Sequence, residues 1–557
     1  MAGTGDLTPD ERARVAPYVT DPEGPVFALL GLPEAVKGAL FARYSRSANS
    51  VRRILLDEFV GAESVSGTET VPDTAVDVTD PSAAGSAVGE QRAREFFQRV
   101  LADYGDDSVA QLGGAHVAIE GVSNVLTKVI EWGRLASYLE QSTRYVPYTE
   151  MQDGRWKYVR PPGIAAHPDL LARYEQVLDD AFATYARLYD AVMAHLVQQE
   201  GAGDDPAVLR TLRARALDAV RGLLPAATTA NLGVYASGQA WEQMVIRLRS
   251  HPLAEAREVG DQVLAALRRV IPDFLTRTDR ADRGERMGAY RMATEERAAE
   301  MWEDLAGSAE GVPGTGTVPG TGVHSPAPIR LLEHDPDGER RVLAHALWPA
   351  SGVPLDQVRA RVDDMGDGDV RAALARWADG RADRRERPGR ALEATSYLFE
   401  VTCDYGAYRD LQRHRILTLE AQPLGADLGF EPSPDVAACG LHDEFDRVQR
   451  ASAALWREVR DRVPAEAPYA ITMAHRIRFL MRMNAREAMH LIELRSQPQG
   501  HAAYRRVAQE MLVAIRDDAR QPGVAALMGF ADMSGDGDRL AQERRTEARR
   551  AADTVDS

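Results

Sequence analysis

The chain has 557 residues, 44% apolar and 27% charged, with a formal net charge of −17. These are the proportions of a soluble globular protein with room for roughly two to four domains. Two cysteines, Cys403 and Cys439, exclude a disulfide framework or a cysteine-rich metal site. The acidic balance argues against nucleic-acid binding, which needs clustered Lys and Arg, though it leaves room for a local basic pocket. No apolar run reaches the ~18 residues of a membrane span. The N-terminus lacks the basic start and apolar core of a signal peptide, so a reducing cytoplasm is the expected compartment.

In chain order, Arg43, Arg46, Arg52 and Arg53 are read as a charged helix face, with phosphate contact as the alternative. Residues 61–90 are rich in Ser, Thr, Asp and small residues and read as a mobile loop. Val117 and Ile119 alternate with smaller or polar neighbours and predict a strand at 115–120, followed by a helical stretch at 122–135. His116 is read as a strand or core histidine. Leu171, Tyr174, Leu178, Phe182, Tyr185, Tyr189, Val192 and Leu196 recur at three- and four-residue spacing and predict an amphipathic helix over 168–199.

Residues 306–328 hold Val-Pro-Gly-Thr-Gly twice, at 312–316 and 318–322, a composition that cannot bury enough apolar surface to order itself. They read as a linker between halves of similar size. Beyond it, Tyr397, Phe399 and Val401 predict a strand at 395–402, with a helical stretch at 403–416. Phe445, Val448, Leu455, Val459 and Val463 predict a second long helix at 441–463. The alternation predicts an α/β (α+β), helix-rich fold. No His-Glu-x-x-His or other metal spacing is present, and the Gly-x-Gly of the linker neither follows a strand nor opens a helix.

Two short runs carry the chemistry. Residues 134–144 contain Arg134, Ser137, Glu140, Ser142 and Arg144; residues 413–418 contain Arg413, His414, Arg415 and Thr418. Together they resemble one motif of the flavin-dependent (alternative) thymidylate synthases, Arg-His-Arg-x-x-Ser-x-Asn-Glu-x-Ser-x-Arg, divided between two copies. The first copy has Trp132 and Gly133 in place of Arg-His, and Leu139 in place of Asn. The second has Glu420, Ala421, Pro423 and Gly425 at the remaining places.

Two further signatures of that family follow the same division. Asn-x-Arg followed by Leu-Arg is kept as Asn484, Arg486, Leu494 and Arg495, whereas the first half offers Gly238, Ala240, Leu248 and Arg249. Ala-Arg-x-x-Leu-Pro is echoed by Val220-Arg221 to Leu224-Pro225 in the first half, with Pro468 where the second half should have its Arg. The first half is ~35 residues longer between equivalent points, within 145–210. The resemblance implies two tandem synthase-like domains, 1–305 and 330–535, joined by a linker at 306–329 and followed by a charged tail at 536–557.

The resemblance also implies roles. Ser142, the Thr143 backbone and Arg144 would hold a nucleotide phosphate. Arg221, with either Arg249 or Arg495 as the catalytic arginine, would face the pyrimidine or its phosphate. Glu140 would orient an arginine or the ribose. Arg134, Arg413, His414, Arg415 and Asn484 would contact FAD. The expected reaction is flavin-dependent methylation at C5 of a uridine nucleotide such as dUMP, giving dTMP or a close relative, with NADPH and methylenetetrahydrofolate as co-substrates. The chemistry suits the residues: a reduced flavin supplies hydride, so fixed arginine donors suffice and no cysteine nucleophile is needed. Neither cysteine has a neighbouring base that would activate it.

One departure concerns the folate. The family's Ser-x-x-Glu-His is replaced by Ser108-Val109-Ala110-Gln111-Leu112, and by Glu393-Ala394 in the second half, so its histidine is absent from both. A catalytically degenerate flavin- or nucleotide-binding protein is the alternative. Because proteins of this family are homotetramers, a fused pair implies a homodimer forming a pseudo-tetramer. One composite site drawing on both halves is expected, since each half keeps what the other has lost.

Overall fold

The computed structural model describes residues 7–44, 47, 49–60, 109–200, 205–307 and 328–535. The expected loop at 61–90, the tail at 536–557, Arg46, Ser108 and all of the linker but its ends lie outside them. Of the linker's ends, Ala306 and Gly307 close the helix Gly284–Gly307, and Ile329 opens a strand. The chain is helix-rich with two antiparallel-type sheets and forms two compact units. Unit 1 comprises residues 1–120, 135–140 and 231–316; unit 2 comprises 121–134, 141–230 and 317–557. The units therefore do not coincide with the halves of the sequence: unit 2 takes a large part of the first half.

In unit 1 the sheet has the order β1 (Gly114–Ser123), β3 (Thr229–Ser237), β2 (Ala136–Glu140). Ala230, Leu232, Val234 and Ala236 of β3 are buried while Asn231, Gly233 and Tyr235 face out, the period-two pattern of a half-buried strand. His116 lies on β1 with its ring 4.5 Å from that of Tyr235. Ser237 caps the helix Gly238–Arg249 by accepting from Ala240 N.

In unit 2 the sheet has the order β4 (Ile329–His334), β5 (Ser396–Asp404), β7 (Arg476–Asn484), β6 (Thr418–Ala421). The central register sets Tyr397 against Met483, Phe399 against Met481, Val401 against Phe479 and Cys403 against Ile477, and all eight are buried. A slip of one residue would turn this whole set to the other face, so burial fixes the register.

The two expected long helices are present as Pro168–Glu200 and His442–Arg462. Tyr174, Phe182, Tyr185 and Leu188 are buried on the first, and Phe445, Val448, Leu455 and Val459 on the second. The helices pack on each other with opposite sense, since Asp169 pairs with Arg462 (2.6 Å), Asp180 with Arg447 (2.5 Å) and Arg187 with Glu444. Such exposed pairs contribute at most about 1 kcal/mol each, and the apolar stripe dominates.

Main-chain hydrogen bonds join the two halves within unit 2. Ala226 N donates to Ile471 O (2.6 Å), Met473 N to Leu224 O (2.9 Å) and Ala474 N to Gly222 O (3.1 Å), and Pro225 bridges Thr472. In the motif alignment Pro225 and Thr472 are equivalent positions, so the repeat pairs with itself about a local two-fold. The flanking contacts obey the same relation. Asn124 N donates to Thr228 O and Val125 N to Ala226 O; Tyr405 N donates to His475 O and Gly406 N to Met473 O. Gly222 fits closely into this pairing, since a Cβ there would lie 3.0 Å from Ala474 Cβ and 3.1 Å from the Phe445 ring.

A buried carboxylate supports this join. Glu466 accepts from Gly163 N (3.0 Å) and Ile164 N (2.7 Å), at the start of the short helix Pro162–Ala165. Charge-assisted bonds of this kind contribute about 1.5–3 kcal/mol. Glu466→Ala is expected to lower unfolding stability by about 2–3 kcal/mol, read from the urea midpoint. Asp180→Ala, which removes an exposed pair, is expected to change it by less than about 1 kcal/mol.

Candidate functional site

The motif halves sit at the ends of equivalent strand–helix units. Ser123 caps the helix Asn124–Ile130, and Asp404 caps the helix Tyr405–Leu411 by accepting from Ala407 N at 2.9 Å. Each helix ends in a short turn that carries motif residues. The turn after Leu411 buries His414 and leaves Arg413 and Ile416 exposed and Arg415 half-buried. The turn after Ile130 leaves Trp132 and Arg134 exposed. Arg134 Nη2 donates to Thr418 Oγ1 (3.3 Å), so the two motif fragments touch.

Arg144 is the best-fixed cation of the group. Its Nε and Nη2 donate to the two oxygens of Asp218 (2.8 and 2.7 Å), Nη1 to the Tyr504 hydroxyl (3.1 Å) and Nη2 also to Gln499 O (2.9 Å). Burial opposes its charge, and the charge and hydrogen bonds of Asp218 outweigh that and raise its pKa. Asp218 is the mirror case: burial works to raise its pKa, and Arg144 holds it below the usual carboxylate range. Ser142 Oγ accepts from Arg144 N (3.2 Å), shaping the turn that presents the arginine. Thr143 is buried between them.

Arg221 is 4% exposed and lies 3.7 Å from Asp404 and 3.5 Å from Asp410. Its Nη2 is buried with no hydrogen-bond partner. Gly406 forms the floor beneath it, because a Cβ there would come within 3.0 Å of Arg221 Nε. Arg413 lies 4.0 Å from Asp410. Arg495 donates from Nε to His414 Nε2 (3.0 Å) and lies over the Tyr504 ring at 5.5 Å.

Asp410 is the shared counter-charge. Burial works to raise its pKa, and the fields of Arg221, Arg413, Arg495 and Arg144 together lower it. Asp404 is the opposite case, with burial raising its pKa despite Arg221. His501 accepts from Ala503 N through Nδ1 (3.2 Å), and burial, then the field of Arg221, pushes it down to about 3. It stands as a neutral imidazole among the arginines.

Unit 2 thus brings Arg144 and Arg221 of the first half together with Arg413, His414 and Arg495 of the second. It places other expected residues differently. Asn484 is the N-cap of the helix Ala485–Arg495, its side chain accepting from Glu487 N at 2.9 Å. His414 is buried with both ring nitrogens engaged, Nε2 by Arg495 and Nδ1 by Glu487 (2.9 Å). Arg249 and Glu140 belong to unit 1, where Arg249 pairs with the exposed Asp261 at 2.7 Å and Glu140 is buried at the end of β2. Of the two arginines open for the catalytic place, Arg495 is the one in this cluster. Arg43, Arg52 and Arg53 are held by Glu58, by the carbonyls of Asp21 and Gly24, and by Glu11 with Asp57. Burial raises the pKa of Cys403 well above its ordinary value, which leaves it a thiol.

Asp218, Asp410, Glu487, His501 and Tyr504 are cluster members that the motifs did not mark. A spacing signal existed for three of them. Asp218 and Asp410 each precede an arginine by three residues, one helical turn, and Glu487 stands three residues after its cap.

The model of the family described as thymidylate synthase complementing protein matches residues 63–273 and again residues 330–519. The chain belongs to this family. Two successive matches to one model show that it carries the family's domain twice in tandem. A UPF0159 protein of Chlamydia muridarum is 34% identical over 98% of this chain and 100% of its own length. A flavin-dependent thymidylate synthase of Mycolicibacterium gilvum is 30% identical over 32% of this chain and 68% of its own. A flavin-dependent thymidylate synthase of Helicobacter pylori, solved with FAD and dUMP, aligns with 15% identity and a TM-score of 0.27 over 34% of this chain and 93% of that one. No helix among the described residues is long and apolar enough to cross a membrane.

Two buried histidines, His414 and His475, and the partly exposed His501 make the fold acid-sensitive. Burial pushes His414 and His475 down to about 4 and His501 to about 3, so all three are neutral in the fold. In the unfolded chain they titrate near ~6.5. Between these values the unfolded state binds more protons than the folded one, so stability rises with pH and falls as acid is added through that window. Each histidine contributes about 1.4 kcal/mol per pH unit within it. The urea midpoint is expected to drop between about pH 7 and about pH 5, above the range in which Asp218 and Asp410 titrate. An unchanged midpoint would show that these imidazoles are solvated.

Proposed function

We propose that this chain is a flavin-dependent enzyme that transfers a one-carbon unit to C5 of a uridine nucleotide such as dUMP, giving dTMP or a close relative. The observation that carries the reading is the arginine cluster assembled from both motif halves around Asp410. Arg144, Arg221, Arg413 and Arg495 outnumber Asp218, Asp404 and Asp410, and His501 adds no charge. The surplus suits one anionic ligand. Nη2 of Arg221, buried without a hydrogen bond and 3.7 Å from Asp404, suits the same ligand, because a buried donor left without a hydrogen bond costs about 1–3 kcal/mol.

The residues also fit a flavin. Arg413 and Arg415, presented on either side of the buried His414, would hold its pyrophosphate, with Arg134 beside Thr418. Exposed Ile416 and Trp132 offer apolar surface for its ring. FAD, when bound, supplies the electrons of the reduction. The chain's part is electrostatic: arginine donors stabilise the negative charge that develops on the uracil oxygens as C5 becomes nucleophilic. Arg221 and Arg144 hold the nucleotide, and Arg495 takes the place at the pyrimidine. NADPH and methylenetetrahydrofolate belong to the proposal as electron and one-carbon donors. The proposed assembly is a homodimer, the fused counterpart of a tetramer; a monomer by light scattering at micromolar concentration would overturn that.

A specific observation favours the second reading, a nucleotide- and flavin-binding protein without turnover. All three nitrogens of Arg144 are already engaged, two by Asp218. Tritium release from 5-tritiated dUMP, in the presence of FAD, NADPH and methylenetetrahydrofolate, separates the two. Release at a catalytic rate is expected. Binding of dUMP without release would establish the second reading.

Arg221→Ala is expected to weaken dUMP binding by about 1.5–3 kcal/mol, measured by calorimetry, with flavin content unchanged. Arg413→Ala is expected to lower the flavin content instead, read from the absorbance of the purified protein. Equal flavin in wild type and Arg413→Ala would remove that arginine from the flavin site.

A further inference from the structure

Arg495 is held in a way that its counterpart in the first half is not. Its Nε donates to His414 Nε2 at 3.0 Å, and His414 Nδ1 lies 2.9 Å from Glu487 Oε1. A guanidinium Nε always carries its hydrogen, so His414 Nε2 must accept. The proton of the neutral imidazole is therefore on Nδ1, which donates to Glu487. The hydrogen-bond pattern alone fixes the tautomer, and the chain Glu487–His414–Arg495 runs in one direction.

We propose that Glu487, acting through His414, is the positioning residue that locks Arg495 in its working orientation. With Nε committed to His414 and Tyr504 beside it, the guanidinium is held in one orientation, and any ligand must be met by the Nη side. Burial works against ionisation of Glu487, and hydrogen bonds from His414 and His490 outweigh it and hold the carboxyl at about 2.

Two observations separate this from an ordinary structural contact. Glu487 is the third residue of its helix, where an acidic side chain usually returns to the N–H of the capping residue. Here its two oxygens go to His414 and, at 3.5 Å, to His490 Nδ1. The fold does not need the arrangement either. The helix Gly238–Arg249 forms in unit 1 with Ala240 or Trp241 at the matching place, according to whether the two helices are aligned at the cap or at the final arginine. Gly133 stands in that half where His414 stands in the other, and Arg249 is held by Asp261 instead.

His414, Glu487 and His490 also have the composition of a metal site, with ligand atoms within 4.8 Å of one another. The tautomer argues against it. A metal on Nδ1 would displace that proton to Nε2 and set it against the Arg495 donor.

The inference rests on the proposed function only in assigning work to Arg495, and its test is divided accordingly. In protein labelled with nitrogen-15 histidine, His414 is expected as the neutral Nδ1-protonated form, identified by its loss in His414→Gln. An Nε2-protonated or mixed form in wild type overturns the proposal. In Glu487→Ala, kcat for the uridine nucleotide is expected to fall on the order of 100-fold, as misplaced catalytic groups do, with the Kd for dUMP changed much less. Glu487→Gln, which keeps an acceptor for Nδ1, is expected to recover part of the loss. Unchanged kcat in both variants overturns the proposal. Cobalt(II) absorption bands that appear in wild type and vanish in Glu487→Gln would overturn it in favour of a metal site. Wild type that neither binds nor converts the nucleotide overturns the proposed function instead, and the tautomer then still decides whether the lock exists.

Discussion

Unit 2 depends on one piece of main-chain pairing, between residues 222–226 and 471–474. These segments are equivalent in the two halves, and they meet antiparallel with Pro225 opposite Thr472. Each is backed by the helix start of its own half, Asn124 and Val125 on one side, Tyr405 and Gly406 on the other. The consequences reach the site directly. Arg221 immediately precedes the paired segment, and Gly406, on the far side of it, lies against the arginine. The pairing therefore carries an arginine of one half onto the helix of the other, beside Asp404 and Asp410. A buried main-chain ladder has its donors and acceptors already satisfied, so it tolerates little sliding. The distance between the motif halves is fixed by backbone rather than by flexible side chains.

Charge balance is the second constraint. Four arginines gathered at one place repel each other, and burying them is costly unless counter-charges and hydrogen bonds accompany them. Asp410 meets all four, Asp218 answers Arg144 bidentately, and Asp404 lies beside Arg221. Planar bidentate pairing is strong and directional, and of the set it is Arg144 that has it. His501 stays neutral chiefly because it is shielded from water, and the field of Arg221 works in the same direction. What is left over is small: a slight excess of positive charge and one buried donor on Arg221 without a hydrogen bond. A site of this kind is ready for an anion without being unstable in its absence.

Much of this was legible in the sequence where the signal was local or repeated. The long helices were found within a residue or two because the stripe from Leu171 to Leu196 and the one from Phe445 to Val459 are long and regular. The strand at 395–402 was legible because its alternating residues are large and buried on one face. β3 and β7 alternate as regularly and were not picked out, whereas two weaker strands lack that signal. β2 holds Ser137 and Glu140 with the exposed Leu139 between them, and β6 has four residues. The motif fragments were legible as types but not as contacts. Nothing in Arg413-His414-Arg415 says that the middle residue turns inward to Glu487 while its neighbours turn out. That follows from the burial of the turn. Asn484 illustrates the same limit: the residue type fits a ligand contact and an N-cap equally, and tertiary placement chose the cap. Nor did the linker's position disclose that the spatial units would cut across the halves, because main-chain pairing between distant segments leaves no mark on composition.

The division of the motif follows from this geometry. A duplicated chain starts with two equal sets of arginines, and the pairing at Pro225 and Thr472 assembles a set with members from each half. Arg144 and Arg221 are placed in it by the first copy, and Arg413, His414 and Arg495 by the second. Once that set exists, the equivalent positions carry no share of its charge balance. Pro468 stands where a second Arg221 would stand, Trp132 and Gly133 where a second Arg413 and His414 would stand, and Arg249 has taken the exposed Asp261 as its partner. Decay at these places costs the cluster nothing, while decay at their counterparts would take from Asp410 or Glu487 one of the partners that offset its burial. The retained pieces are thus tied to one another physically, each arginine by an acid that requires it.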